Sequence, residues 1–236
     1  MQINPKSAQD AATSPSKYWF IVDFDGTTAM QDVQVCILDK FSPVDWRQIE
    51  DEILATGAKS RQYLPAIYRH WNTPAEVVEK FVDEEMALDP HFPEFAAWCQ
   101  DQGYPLEIVS DGLDLYVKLM LNKYGLSHIP FRSNEINMTA EGATIRFPYA
   151  SDDCGKCGNC KLSRVREVKA DPAVQVVYVG DGISDECPAA HVDILFAKSS
   201  LARYCQEKGI DFLPFRDFSD VLTAMKAGTR KLASLG

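Results

Sequence analysis

The sequence predicts an α/β fold: a mostly parallel sheet with helices on both faces, interrupted early by a helical block and carrying a small β-hairpin. Three observations predict it. Residues 19–24 and 174–179 are dense in bulky and β-branched apolar side chains, the composition of strands buried on both faces. Strand-like segments alternate with segments of helical spacing, the order in which crossovers build a parallel sheet. Three predicted strands end in turns that carry aspartate, and such sheets bind ligands outside the carboxyl ends of their strands.

The first strand stops at Asp23 and Asp25, followed by Gly26 and Thr27. Positions i and i+2 of an extended chain point the same way, so the two carboxylates share one pocket while Phe24 turns into the core. Two unpaired carboxylates repel. Their coexistence calls for a divalent cation between them, or for one to hold a proton while the other attacks.

Helical spacing follows at Val33, Ile37 and Phe41, and Ser42-Pro43-Val44-Asp45 reads as an N-cap, a first-turn proline and an acidic third position. A helix is predicted over residues 61–71, and Thr73-Pro74-Ala75-Glu76 reads as a capping box for another. Residues 31–88 are thus a helical insert between two parts of one core, residues 18–30 and 89–236, behind a polar tail over residues 1–17. Pro90 and Pro93 stiffen the return. After a helix over residues 94–102, a strand at 105–110 ends in the turn Ser110-Asp111-Gly112, which opens a helix over 113–124. Residues 131–138 and 143–147 flank a hairpin turn at 139–142. A Cys-rich loop precedes a helix from Lys161, and the apolar strand at 174–179 ends in Gly180-Asp181-Gly182-Ile183-Ser184-Asp185. A strand over 192–197, a helix over 200–208, a short strand over 212–215 and a helix over 218–226 close the pattern.

Lys and Arg number 24 against 34 Asp and Glu, a formal charge of −10, which disfavours nucleic acid or an anionic membrane as the main partner. The first 17 residues lack the apolar core of a signal peptide, and no stretch reaches the ~18 apolar residues of a membrane span. A cytoplasmic location is expected, with most of the seven cysteines free. Oligomeric state is not legible.

Asp23-Phe24-Asp25-Gly26-Thr27, Ser110, Lys161, and Gly180-Asp181 with Asp185, in that order, resemble the haloacid dehalogenase superfamily of phosphohydrolases. The resemblance implies a Rossmann-like core and an Mg²⁺-dependent phosphomonoesterase acting on a small phosphorylated metabolite. It makes Asp23 the nucleophile that becomes an aspartyl phosphate, and Asp25 the acid–base partner. Ser110, Asp111 and Gly112 would hold phosphate. Lys161, with Lys156 as fallback, would neutralise phosphoryl oxygens. Asp181 would bind Mg²⁺ with Asp23 and the Asp25 carbonyl, while Asp185 holds a metal-bound water or orients Lys161. An acid at position 25 points to a phosphatase rather than a dehalogenase, because halide leaves unprotonated. The insert is similar to the helical cap of the phosphoserine phosphatase-like group, with Arg61, Gln62, Tyr63 and Arg69, or Gln31 and Asp32, as candidates to meet substrate.

A narrower resemblance rests on Cys154-Gly-Lys-Cys157-Gly-Asn-Cys160-Lys161, on Val109-Ser-Asp-Gly-Leu-Asp114 and on Phe212-Leu-Pro-Phe-Arg-Asp-Phe218. It points to the phosphatases of methionine salvage that act on 2-hydroxy-3-keto-5-methylthiopentenyl 1-phosphate. Phosphoserine phosphatase is the alternative enzyme, and a phosphate-ester binding protein without turnover the alternative of another class. The C-x₂-C-x₂-C spacing of Cys154, Cys157 and Cys160 could supply three thiolates to Zn²⁺, with Cys187, His191, Asp152 or Asp153 as the fourth ligand. The other reading is a glycine-rich turn of free thiols that positions Lys161.

Overall fold

The computed structural model describes residues 17–139 and 142–228, so the expected tail up to residue 16 and the hairpin-turn residues Ala140 and Glu141 lie outside the described residues. Seven strands form one sheet: β1 (Lys17–Val22), β2 (Leu106–Leu113), β3 (Phe131–Thr139), β4 (Gly142–Arg146), β5 (Val174–Gly180), β6 (Ile194–Ala197) and β7 (Leu213–Pro214). Their order is β4-β3-β2-β1-β5-β6-β7, parallel throughout except for the β3–β4 hairpin. The first strand, β1, therefore sits at the centre. Its ladder to β5 runs from Lys17↔Val174 to Val22↔Val179, which brings the carboxyl ends of the two strands level.

Between β1 and β2 the chain makes the turn Phe24–Thr28 and then α1 (Val33–Phe41), α2 (Trp46–Leu54), α3 (Ser60–Tyr68) and α4 (Ala75–Glu85). Entry and exit of this insert are tied together. Ala29 and Leu88 form an antiparallel bridge, the Met30 N–H donates to the Ala87 carbonyl at 2.9 Å, and the Asp89 N–H donates to the Thr28 carbonyl at 2.9 Å. Two expected caps differ. Asp45, not Ser42, caps α2, its carboxylate accepting from the Gln48 N–H at 3.1 Å, while Ser42 ends α1 with its N–H on the Leu38 carbonyl. A carboxylate is the stronger acceptor at a helix start, and the longer connection leaves room for Pro43 outside the helix. Likewise α4 begins at Ala75 without a side-chain cap, one residue after the expected proline position.

Alternation along β1 fills both faces. Phe20 and Val22 join Ile108, Val177 and Phe196 in a layer completed by Phe95 of α5 (Phe92–Asp101), Val117 of α6 (Asp114–Lys123) and Phe218 of α10 (Phe218–Lys226). Ile21 points oppositely, with Val109, Val176 and Tyr178, toward Val165 of α7 (Lys161–Val168), Ala189 of the short α8 (Glu186–Ala189) and Leu201 of α9 (Ser199–Lys208). Each fully buried side chain of this size contributes about 1.5–3 kcal/mol, so register slips in β1 are strongly opposed. Among the described residues no helix is long and apolar enough to cross a membrane.

Candidate active site

Asp23 follows the last residue of β1 in extended backbone and is 4% exposed. Gly26 then turns the chain at φ +69°, where a Cβ would stand 2.7 Å from Asp181 Oδ2, so both the backbone angle and the space require glycine. Phe24 is fully buried against the Tyr116 ring. Asp23 and Asp25 line one cavity of about 320 Å³ with Asp32, Tyr63, Asp111 and Asp181.

The first residue of α7 stands behind the cavity wall and holds two of its lining residues, Asp23 and Ser184. Lys161 is 3% exposed, and its Nζ donates to Asp23 Oδ1 at 2.5 Å, Asp185 Oδ1 at 2.7 Å and Ser184 Oγ at 2.8 Å. Asp185 accepts further from the Tyr178 hydroxyl at 2.6 Å and from the N–H groups of Asp181 and Gly182, both at 3.0 Å. The Thr27 hydroxyl donates to Asp181 Oδ1 at 3.1 Å. Two carboxylates thus hold one ammonium, with the Asp181 carboxylate close by. Burial and then the Asp185 charge push Asp23 well above the usual carboxylate range against the pull of Lys161, and burial with Asp185 raises Asp181 to about 6. Burial opposes the charge on Lys161, but Asp185 and Asp23 outweigh it and hold the ammonium charged. Oxygens of Asp23, Asp181 and Asp185 lie within 4.8 Å of one another. An all-oxygen donor set with two net negative charges suits a hard divalent cation such as Mg²⁺.

Asp25 is held differently. Its Oδ1 accepts from the N–H groups of Val33 at 3.0 Å and Gln34 at 3.3 Å, at the start of α1, and its Oδ2 accepts from the hydroxyls of Tyr116 at 2.8 Å and Ser110 at 3.2 Å. Burial and the Asp32 charge still raise it to about 7, against the Tyr116, Gln34 and Ser110 hydrogen bonds. Two carboxylates two residues apart therefore have unlike settings: one beside an ammonium, one among neutral donors.

The second motif differs from its expected form. Instead of a tight turn at residues 110–112, β2 runs on to Leu113, with its register against β3 shifted between Val109 and Leu113, and α6 starts at Asp114. The Gly112 N–H donates to Ser110 Oγ at 2.9 Å, so this amide is directed at the serine rather than presented on a helix N-terminus. A bulge frees a strand residue to re-aim its side chain, and here it directs Ser110 at Asp25. Asp111 lines the cavity, but its carboxylate accepts from Ser60 Oγ at 2.5 Å, the Asn159 N–H at 2.9 Å and Asn134 Nδ2 at 3.2 Å. It thereby joins α3, β3 and the Cys-rich loop.

Of the insert side chains singled out, Tyr63 and Asp32 line the cavity. Arg61 pairs with Asp152 at 3.9 Å, Gln62 bonds the Lys59 N–H and the Gly155 carbonyl, and Gln31 bonds the Glu85 carbonyl and Ala87 N–H. Arg69 caps the end of α3. Lys156 stays in its loop, where its carbonyl accepts from the Arg61 N–H. Tyr116, Tyr178, Ser60 and Asn159 are site residues that sequence reasoning misses. Each lies within a few residues of a motif in the sequence or one strand away in space, but a lone hydroxyl or amide carries no spacing signal. Thr27 was legible as part of Asp-Gly-Thr.

Residues 20–187 match the sequence profile of haloacid dehalogenase-like hydrolases. The chain is 30% identical over 214 residues to a 2-hydroxy-3-keto-5-methylthiopentenyl-1-phosphate phosphatase of Brevibacillus brevis, covering 86% of this chain and 93% of that one. The phosphatase of the same name from Geobacillus kaustophilus is 33% identical over 210 residues, covering 86% and 93%. Among solved structures, a phospho-aspartyl intermediate analogue of phosphoserine phosphatase superposes with a TM-score of 0.66 at 17% identity, over 89% of this chain and 99% of that one, which is a likeness of fold.

Proposed function

The chain belongs to the haloacid dehalogenase-like hydrolase family and is a phosphatase, and from that premise we propose that it hydrolyses a small, uncharged-bodied phosphomonoester through an aspartyl phosphate on Asp23. The observation that carries the reading is the unlike setting of Asp23 and Asp25 in one cavity. Lys161 occupies Asp23 Oδ1, so attack on phosphorus falls to Oδ2. As the Oδ2–P bond forms and the ester P–O bond breaks, Asp25 gives its proton to the leaving oxygen. In the second half a water attacks phosphorus, Asp25 takes its proton, and the P–Oδ2 bond breaks to release phosphate. Lys161, balanced by Asp185, offsets charge on the phosphoryl oxygens.

Asp23, Asp181 and the Asp25 carbonyl would hold Mg²⁺, with Asp185 fixing Lys161 and the backbone of Asp181 from behind. When bound, the ion supplies Lewis-acid polarisation of the phosphoryl group. Residues 31–88 act as a cap: α3 contributes Tyr63 to the cavity and rests on the loop before Lys161 through Gln62 and Arg61. Closing such a cap excludes water from the intermediate until the leaving group has gone.

The substrate reading has its own support. Among the described residues that line the cavity there is no arginine or lysine, whereas five are aspartates. A substrate with a carboxylate of its own, as phosphoserine has, would find no partner there. The substrate named for the Brevibacillus and Geobacillus relatives has hydroxyl, keto and methylthio groups instead. Ile183 is 62% exposed at the cavity wall, an apolar surface suited to a thioether. The deciding experiment compares kcat/KM for the methylthiopentenyl enol phosphate, phosphoserine and glycerol phosphate. A lead of about a hundredfold for the enol phosphate is expected; equal or better turnover of phosphoserine overturns the substrate reading. Turnover by a folded Asp23→Asn variant overturns the mechanism, and a wild-type chain that binds phosphate esters without hydrolysing them overturns both.

A further inference from the structure

We propose that Cys154, Cys157, Cys160 and Cys187 form a structural zinc site that fastens the loop ahead of Lys161 to the helix that follows Asp185. The site is separate from the carboxylate cluster and does not rest on the phosphatase reading. All four cysteines line one cavity of about 270 Å³, whose wall also includes Lys161 and Ser184. Three come from a C-x₂-C-x₂-C loop and the fourth from the first turn of α8.

Cys154 and Cys157 stand as a pair of thiols at metal-sharing distance rather than as a disulfide. Cys154 Sγ and Cys157 Sγ are 3.7 Å apart. That matches the edge of a tetrahedron with Zn–S bonds of about 2.3 Å, which is about 3.8 Å, and far exceeds a disulfide bond of about 2.0 Å. Cys160 also comes within thiol hydrogen-bonding reach of Cys154. Among the described residues the carboxylate cluster alone already has three ligand atoms within 4.8 Å, so the thiols must still draw together. A staggered χ1 step moves Sγ by about 3 Å, enough to bring further sulfurs inward without moving the backbone. Four thiolates on Zn²⁺ leave two negative charges. Lys59 of the residue before α3 answers them, with Nζ 3.9 Å from Cys187 Sγ.

The other candidate fourth ligands are less well placed. His191 lines a different cavity, with Val165 and Lys169, and the Asp152 carboxylate is fully exposed beside Arg61. Asp153 reaches the thiol cavity but offers a hard oxygen where three soft sulfurs favour a fourth. The loop already sits at a junction. Asn159 Nδ2 donates to the carbonyls of Ser110 at 2.8 Å and Arg132 at 2.9 Å, the Gly158 N–H donates to Ser60 Oγ at 2.8 Å, and Cys160 leads directly into Lys161. A metal across Cys160 and Cys187 would fix both partners of the Lys161–Asp185 ion pair from outside the cavity that holds substrate.

The test is the metal content of the reduced full chain purified without chelator, with Co²⁺ titrated into the metal-free protein. About one zinc per chain is expected, together with a thiolate-to-cobalt charge-transfer band that Mg²⁺ leaves unchanged. Zinc content should fall about tenfold in Cys157→Ser and Cys187→Ser, and stay in Cys99→Ser and Asp181→Asn. If Cys187→Ser does not fold, Cys187→His keeps a ligand and should retain the metal. Three outcomes overturn the proposal: a zinc-exposed wild type with less than about a tenth of an equivalent and seven titratable thiols; a folded Cys187→Ser that keeps its zinc; or a Cys154–Cys157 disulfide in the purified chain.

Discussion

Burial and the neighbouring Asp32 charge let Asp25 keep its proton up to about pH 7. In the proposed mechanism a raised acid serves the first half-reaction below that pH, so kcat/KM for esters of poor leaving groups should fall as pH rises through about 7. The Tyr116 hydroxyl lowers this value, so Tyr116→Phe should move the falling limb of the pH–rate profile upward; an unmoved limb would show that another group titrates there. Asp25→Asn should cost about 10²–10⁴ in rate on alkyl phosphates and far less on p-nitrophenyl phosphate, whose leaving group needs no proton. At this scale the aspartates were legible, because two like charges spaced to share one pocket at a strand end call for a chemical reason. Tyr116 and Ser60 were not. Their roles depend on which strand and which helix come to lie opposite, and nothing in a single hydroxyl records that.

The bulged end of β2 and the start of α6 form one fitted piece around Asp25. A Cβ on Gly112 would stand 1.7 Å from the Tyr116 hydroxyl oxygen and 2.6 Å from Asp25 Oδ2, so Gly112→Ala must displace both. The variant should remain folded and lose about a hundredfold in kcat, checked by circular dichroism beside steady-state kinetics. The α3–Asp111 contact works at the same scale. Ser60→Ala removes a donor from a carboxylate that burial already raises, and should lower stability by about 1–3 kcal/mol in urea unfolding. Element order, the hairpin and the helical insert could all be read from periodicity and turn residues. Strand and helix ends could not: Asp45 rather than Ser42 caps α2, and β2 passes its expected stop, because terminal residues answer to tertiary partners more than to propensity.

Across the molecule, the carboxyl ends of β1, β2 and β5 converge on one crowded acidic centre, and a bound divalent cation should stabilise the whole chain. At a hundred times its dissociation constant Mg²⁺ should add about 2.7 kcal/mol, read as a rise in Tm that Asp181→Asn removes. Because Asp181 protonates near 6 in the metal-free chain, protons compete with the ion, and the Mg²⁺-dependent rise should shrink as pH falls through about 6. An unchanged rise at pH of about 5 would place the ion elsewhere. The bridge between Ala29 and Leu88 has a different kind of consequence. It brings both ends of the insert together on the core, so a replacement segment of almost any length faces the same short gap, and loop closure costs little more for a long one than for a short one. On the proposed cap reading, the insert's share of substrate selection sits on an exchangeable module, free to diverge in sequence and size while the chemistry beneath it stays as it is.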